Sequence, residues 1–291
     1  MKAAPFAYHR PDTVAGALSL LKDLGDDAKI LAGGQSLVPM LAMRLTHFDN
    51  LIDISRIGEL SDIERRGDTV RIAAGTPHAL VGMDDEVAEA VPLLTLATPH
   101  IGHFQIRTRG TLGGAIAHAD PAAEYAAVAV ALDAEIEATS VRGTRRIPAA
   151  AFFTGLWETT LAADEILTAV TFPVWSGRVG FSVQEFARRH GDFAIAGATV
   201  AVELDGDDTV TRCGIGLLGM GSTPQRGTPA ERAAAGRPVT DVTAEEVGRL
   251  AVSALEDIPA DLQGSAAYRR KVGATMVARA WLEATTEARH A

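Results

Sequence analysis

Gly110-Thr111-Leu112-Gly113-Gly114-Ala115-Ile116-Ala117-His118-Ala119-Asp120-Pro121-Ala122-Ala123-Glu124 is the stretch that organises the rest of the chain. It joins a glycine pair to a run of small residues, a proline and an acid that opens an apolar segment. Adjacent glycines permit positive φ and let backbone approach a bulky ligand. Consecutive N–H groups in such a turn form a concave nest suited to phosphate oxygens. From the pair alone, a plain tight turn between two elements is the favoured reading.

Outward from that stretch, the 291 residues are long enough for about two or three domains. The chain is 47% hydrophobic and 22% charged, the balance of a soluble globular protein. A formal charge of −10 argues against nucleic acid, which needs clustered Lys and Arg. No apolar run approaches the roughly 18 residues of a membrane span. The opening Met1 to Arg10 lacks the pattern of a secretory signal, so the expected location is the cytoplasm. Cys213 is the single cysteine, which excludes an internal disulfide and a cluster held by four of the chain's own thiolates. His100 and His103 form a close pair with no carboxylate in a metal-site pattern; they read as loop histidines, and no metal site is expected.

In order along the chain, Asp12 or Thr13 can cap a helix carrying Val14, Ala17, Leu18, Leu21 and Leu24, with Gly25 as its stop. Lys29-Ile30-Leu31 reads as a short strand. Ala32-Gly33-Gly34-Gln35-Ser36 follows as a second glycine loop, then a helix from Leu37 to Leu45. Strand, glycine loop and helix in that order present free backbone donors to an anion. The loop is neither a Walker A sequence nor the G-x-G-x-x-G of a Rossmann turn. Leu51 to Ile54 is another buried strand. Short alternating runs around Arg66-Gly67-Asp68 predict a hairpin, His100 to Arg109 a loop, and Glu124 to Leu132 an apolar helix. Ala134 to Thr139 reads as a half-exposed strand and Ile166 to Phe172 as a strand closed by Pro173. Pro173 to Gly180 is the expected domain boundary. Beyond it come strands near 181–186, 194–204 and 209–218, then helices near 229–235, 244–255 and 265–284. The last helix carries Arg269-Arg270-Lys271 beside an apolar face, which reads as a solvated charged edge.

Two glycine loops without a phosphate-binding lysine suggest two nests closing on one pyrophosphate. Ala32-Gly33-Gly34-Gln35-Ser36-Leu37-Val38-Pro39-Met40, together with Thr111-Leu112-Gly113-Gly114 and His118 to Glu124, resembles the FAD-binding loops of the medium subunit of molybdenum hydroxylases, the family of carbon monoxide dehydrogenase and xanthine dehydrogenase. Tyr8-His9-Arg10-Pro11, Gln105-Ile106-Arg107 and Glu185 to Ala194 extend the resemblance over nearly the whole chain. It implies an α+β protein: a two-part FAD-binding domain of the p-cresol methylhydroxylase and vanillyl-alcohol oxidase type over residues 1–176, and a C-terminal α+β domain with an antiparallel sheet and helices over 177–291. The first domain would divide into an α/β part (1–55) and a mixed, mainly antiparallel part (56–176).

By the same resemblance Ala32, Gly33, Gly34, Gln35, Ser36 and Leu37, with Thr111, Gly113 and Gly114, should hold the pyrophosphate of FAD. Ile101 should lie near the adenine and Glu124 near the ribose, while His118, Asp120, Ile166, Leu167 and Phe193 should border the flavin end. Helix capping is the competing reading for Asp120 and Glu124, and core packing for Phe193. Gln35, Ala115 and Phe193 stand where several relatives have His, Asn and Tyr, which bears on flavin tuning and acceptor choice. The implied role is electron transfer from a small iron–sulfur subunit carrying [2Fe-2S] clusters, beside a large subunit carrying the molybdenum cofactor, in a dimer of heterotrimers. No catalytic side chain is assigned to this chain. A self-sufficient FAD-dependent oxidase or reductase is the alternative, and a non-enzymatic nucleotide-binding module a third reading.

Overall fold

The computed structural model describes residues 2–291, and its elements fall into three successive pieces. The first runs β1 (Ala7–His9), α1 (Val14–Leu24), β2 (Ala28–Leu31), α2 (Leu37–Ala42) and β3 (Asn50–Asp53). Its strands form a parallel sheet in the order β1-β3-β2. Thr13 caps α1 by accepting from the Gly16 N–H, and Gly25 ends the helix at φ 59°. Ala17, Leu18 and Leu21 of α1 pack on Ala28 and Ile52 of the sheet, the helical spacing having put all three on one face.

The second piece is built on a five-stranded antiparallel sheet. It comprises β4 (Ile63–Arg66), β5 (Thr69–Ala73), short helices α3 (His78–Val81), α4 (Asp85–Ala90), α5 (Pro92–Ala97), α6 (Phe104–Arg107) and α7 (Leu112–His118), then α8 (Glu124–Ala131). The chain returns through β6 (Glu135–Ser140), β7 (Gly143–Pro148), α9 (Ala149–Phe152), the small hairpin β8 (Phe153–Gly155) and β9 (Glu158–Thr159), and β10 (Ile166–Pro173). The sheet order is β4-β5-β10-β6-β7, with the apolar β10 at its centre. The predicted hairpin joins β4 to β5. Ala134 to Thr139, expected to be half-exposed, is mostly buried: Ile136 packs in the core, and Glu137 is sheltered by a two-pronged pairing with Arg71 across the sheet. The expected loop at 100–109 contains α6.

The third piece is an antiparallel sheet, β11 (Arg178–Phe186), β12 (Ala196–Leu204), β13 (Val210–Leu218) and β14 (Gln225–Arg226), followed by α10 (Thr228–Ala234), α11 (Ala244–Ala251) and α12 (Ala266–His290). Here the reading of Arg269-Arg270-Lys271 as a solvated edge holds for Lys271, which is exposed, and is overturned for the two arginines. Arg269 is 4% exposed and donates to the carbonyls of Ile195 and Gly219 and to Asp261. Arg270 donates to the carbonyls of Val252 and Leu255, at the end of α11. Both guanidiniums therefore act as clasps for backbone carbonyls.

Helix α8 lies where the second and third pieces meet, and all eight of its residues are buried. An apolar pattern on every side of a helix has that consequence: both faces need a partner. The partner on the third-piece side comes unusually close, for a Cβ on Gly214 or Gly216 would lie 2.1 or 2.2 Å from the Ala131 or Ala127 carbonyl. The first residue of this helix is therefore set rigidly. No helix among the described residues is long and apolar enough to cross a membrane.

Candidate functional site

A cleft of about 760 Å3 opens where the three pieces converge. The loop after β2 forms one wall. None of the backbone N–H groups from Gly33 to Leu37 has an acceptor among the described residues, whereas Val38 and Met40 already bond back to Gly34 and Ser36. Gly34 sits at φ 72°, where a side chain would be strained. Gly33 has another reason to lack a Cβ: one would lie 2.1 Å from the Arg109 carbonyl, so the two glycine loops touch there. The Gln35 side chain turns back to the Gly33 carbonyl at 3.0 Å. Five consecutive free donors at the mouth of a helix are a fit for the oxygens of a pyrophosphate.

The second glycine pair is built differently from a positive-φ turn. Gly113 and Gly114 lie in the first turn of α7, capped by Thr111, whose Oγ1 accepts from the Gly114 N–H at 3.1 Å. The Leu112 and Gly113 N–H groups donate to the carbonyls of Thr76 and Ala74 at 3.0 and 2.8 Å. The donors that a nest would offer are thus largely committed to β5 and its following turn. Gly113 is small because a Cβ would sit 2.3 Å from that of Ala74, while Gly114 faces Ala32 across the cleft. Loop one carries the free donors; loop two carries the close fit.

His78, not singled out from the sequence, holds loop two in place. Its backbone N–H donates to the Gly110 carbonyl at 2.9 Å, and its Nε2 meets the Thr111 carbonyl at 2.8 Å. Burial lowers its pKa to about 4, so the neutral ring donates through Nε2. The ring meets Tyr125 edge-on, and Tyr125 in turn shares a hydrogen bond with Thr98 at 2.6 Å. These are ordinary core polar groups, and only three-dimensional contact shows what they orient.

Glu124 is the first residue of α8, 7% exposed, and lines the cleft. Burial, then the neighbouring charge of Glu185, pushes its carboxyl up to about 8. Its carboxylate accepts from its own backbone N–H in the first turn of α8 and from no other described side chain, while the N-cap position belongs to Ala123. Asp120 does act locally: one oxygen accepts from the Ala122 N–H at 2.9 Å and the other from the Trp157 indole at 3.1 Å. His118 ends α7, its basicity lowered by burial, with Ala119 in the left-handed region at φ 54°. Ile166 and Leu167 open β10 on the cleft floor, and Ile101 lies on the wall beside Gly102. Phe193 is 57% exposed on the β11–β12 loop and lines the cleft, which overturns core packing as its role.

Every residue assigned to the FAD site from the sequence lies on this one cleft. The sequence reading missed His78, Lys29 with Phe48, and the hairpin residues Trp157, Glu158 and Thr159. The one signal for the last group was an aromatic beside Gly155 in an otherwise unpatterned stretch.

Free N–H groups on a loop–helix junction and a buried carboxyl on one large, mostly apolar cleft fit a dinucleotide-type cofactor. The family described as FAD binding domain in molybdopterin dehydrogenase matches residues 4–175, and that described as CO dehydrogenase flavoprotein C-terminal domain matches 181–284. The alpha subunit of the 6-hydroxypseudooxynicotine dehydrogenase complex of Paenarthrobacter nicotinovorans is 40% identical over 99% of this chain and 97% of its own. The nicotine 6-hydroxylase medium subunit of the same organism is 38% identical over 98% and 99%. The structure of carbon monoxide dehydrogenase from Hydrogenophaga pseudoflava matches with a TM-score of 0.95 at 36% identity, over 99% of both chains. The chain belongs to the family of FAD-binding medium subunits of molybdenum hydroxylases. It is the flavoprotein, electron-transferring subunit of a multi-subunit oxidoreductase, and its fold is the two-domain fold expected for that family.

Proposed function

We propose that FAD lies along the cleft with its pyrophosphate on the N–H groups of Gly33 to Leu37, against the close surface made by Thr111, Gly113 and Gly114. Glu124 would take the ribose hydroxyls of the adenosine half, with the adenine toward Ile101. The isoalloxazine would point to the end bounded by His118, Asp120, Ile166, Leu167 and Phe193. The domain boundary falls between residues 176 and 177, so Phe193 closes the cleft from the second domain. Five unpaired donors in one half-exposed loop at the mouth of a helix carry this reading, since such a run of donors suits the oxygens of a pyrophosphate.

Bound FAD would supply two-electron storage between a one-electron iron–sulfur donor and an external acceptor. The chain's own residues bind and orient: loop one neutralises charge with dipoles, α8 fixes the adenosine end, and Phe193 screens the far end. The partners on this reading are a small [2Fe-2S] subunit and a large molybdenum subunit, in a cytoplasmic dimer of heterotrimers. Medium subunits with this fold serve complexes named for nicotine and for carbon monoxide alike, so the hydroxylated substrate is recognised on another chain.

Anaerobic mixing of the isolated, FAD-loaded chain with candidate substrates should leave the flavin oxidised, and adding both partner subunits should bleach it. Stoichiometric bleaching by substrate without partners would sink this reading in favour of a self-sufficient oxidase.

A further inference from the structure

The β8–β9 hairpin brings one aromatic side chain to the cleft that no glycine loop requires. Trp157 stands at its tip, 53% exposed, with φ 57°. A bulky residue in the left-handed region is unfavourable and persists only when its surroundings hold it. Two contacts do so. The indole Nε1 donates to Asp120 Oδ2 at 3.1 Å, and that carboxylate is itself fixed by the Ala122 N–H. The indole plane lies 11° from that of His118, with ring centroids 6.3 Å apart. Both rings line the cleft, beside the first residues of β10. The chain's other tryptophans, Trp175 and Trp281, are 6% and 1% exposed. An indole held in a strained conformation, parallel to a second ring and still half open, has an unfilled aromatic surface.

We propose that Trp157 is a cofactor-contacting residue: with His118 it forms an aromatic wall on which the isoalloxazine packs, and the hairpin tip screens that ring from water. The proposal rests on the orientation of FAD given above. The hairpin becomes the element of the chain that sets how open the flavin is to its acceptor.

The test uses the full chain, freed of FAD and titrated with it, followed by indole and flavin emission, since an indole in contact with an oxidised isoalloxazine quenches its fluorescence. In the wild type, indole emission falls as FAD binds and flavin emission stays low. Trp157→Phe keeps a stacking ring, so affinity stays near wild type while flavin emission rises and the indole quench disappears. Trp157→Ala loses the wall, and FAD affinity falls about three- to tenfold. Melting of the FAD-free variants checks the fold, and the exposed position of the residue favours their folding. Wild-type affinity in Trp157→Ala, or wild-type flavin emission in Trp157→Phe, overturns the inference and leaves the FAD site standing. A wild-type chain that takes up no FAD removes both.

Discussion

Glu124→Gln removes one ionisable group from the cleft and leaves its shape. In the folded, FAD-free chain the Glu124 carboxyl is pushed up to about 8 from its usual 4.5, by burial first and by Glu185 second. A group that holds its proton more tightly when folded gives the native state extra protons between those two values. Stability therefore falls as pH rises through that window and levels off above pH 8. His78 acts oppositely below its usual 6.5, because burial lowers it to about 4 and its protonation opposes folding. The range above pH 6.5 isolates the acid. From pH 6.5 to pH 8 the wild-type chain should lose about 2 kcal/mol of unfolding free energy at about 1.4 kcal/mol per pH unit, with a smaller share from Glu185, pushed up to about 7 by burial. Urea denaturation of the FAD-free chain at a series of pH values measures the slope, and Glu124→Gln should remove most of it. If the ribose hydroxyls donate to Glu124, binding favours the carboxylate and FAD uptake at pH 7 should release a proton. Calorimetry in two buffers of different ionisation enthalpy reads that proton, and it should vanish in Glu124→Gln. ADP carries the same ribose and pyrophosphate and should release the proton as well. Glu124→Ala should lose about 1–3 kcal/mol of FAD affinity through unpaired hydroxyls. Full FAD affinity in Glu124→Ala, together with an unchanged pH slope in Glu124→Gln, would refute this account of the residue.

Gly34→Val should give folded but colourless protein, since it forces a branched side chain into φ 72° and puts its Cβ within 3.1 Å of Val38; normal flavin content would discredit loop one as the pyrophosphate site. Arg269→Leu strips the clasp from the carbonyls of Ile195 and Gly219 and should cost about 3 kcal/mol in chemical denaturation. Loss of under about 1 kcal/mol would mean that water replaces the guanidinium there. His78→Ala should leave the sheet intact and weaken FAD binding by freeing the Thr111 carbonyl, while also flattening the stability rise between about pH 4 and 6.5.

Much of the fold was legible because the local signals agree with the packing. Val14, Ala17, Leu18, Leu21 and Leu24 carry a helical period that Thr13 and Gly25 bound at each end, and α1 occupies that range. Gly67 between two alternating runs made a hairpin the economical reading, and β4 and β5 pair there. The glycine loop at 33–34 was read correctly as strand, loop, helix. At 113–114 the same dipeptide misled. Composition favours a turn, but the Thr111 cap and the tight contact of Gly113 with Ala74 impose a helix. Arg269 looked solvated because its partners are carbonyls far along the chain, which no local pattern reveals. The β8–β9 hairpin has strands of three and two residues, too short to show a period, so Trp157 stayed invisible until the fold placed it opposite His118.

The cleft divides its work between surfaces that satisfy themselves and surfaces that wait for a ligand. Loop two and Thr111 have most of their hydrogen bonds made within the protein, one of them to His78 Nε2, which keeps that wall in one shape. Loop one, Glu124 and the Trp157–His118 pair do not: donors lack acceptors, a carboxyl stays protonated, and an indole stands open. On the proposed orientation each of these would meet a different part of FAD. Binding energy would then be spread along the cleft from pyrophosphate to ring. A wall already set in shape, facing one that awaits its ligand, would hold the cofactor in a single orientation, which is what an electron-transfer subunit requires when its donor and acceptor approach from outside. If the hydroxylated substrate is recognised on another chain, as proposed, one scaffold can serve complexes named for molecules as different as nicotine and carbon monoxide.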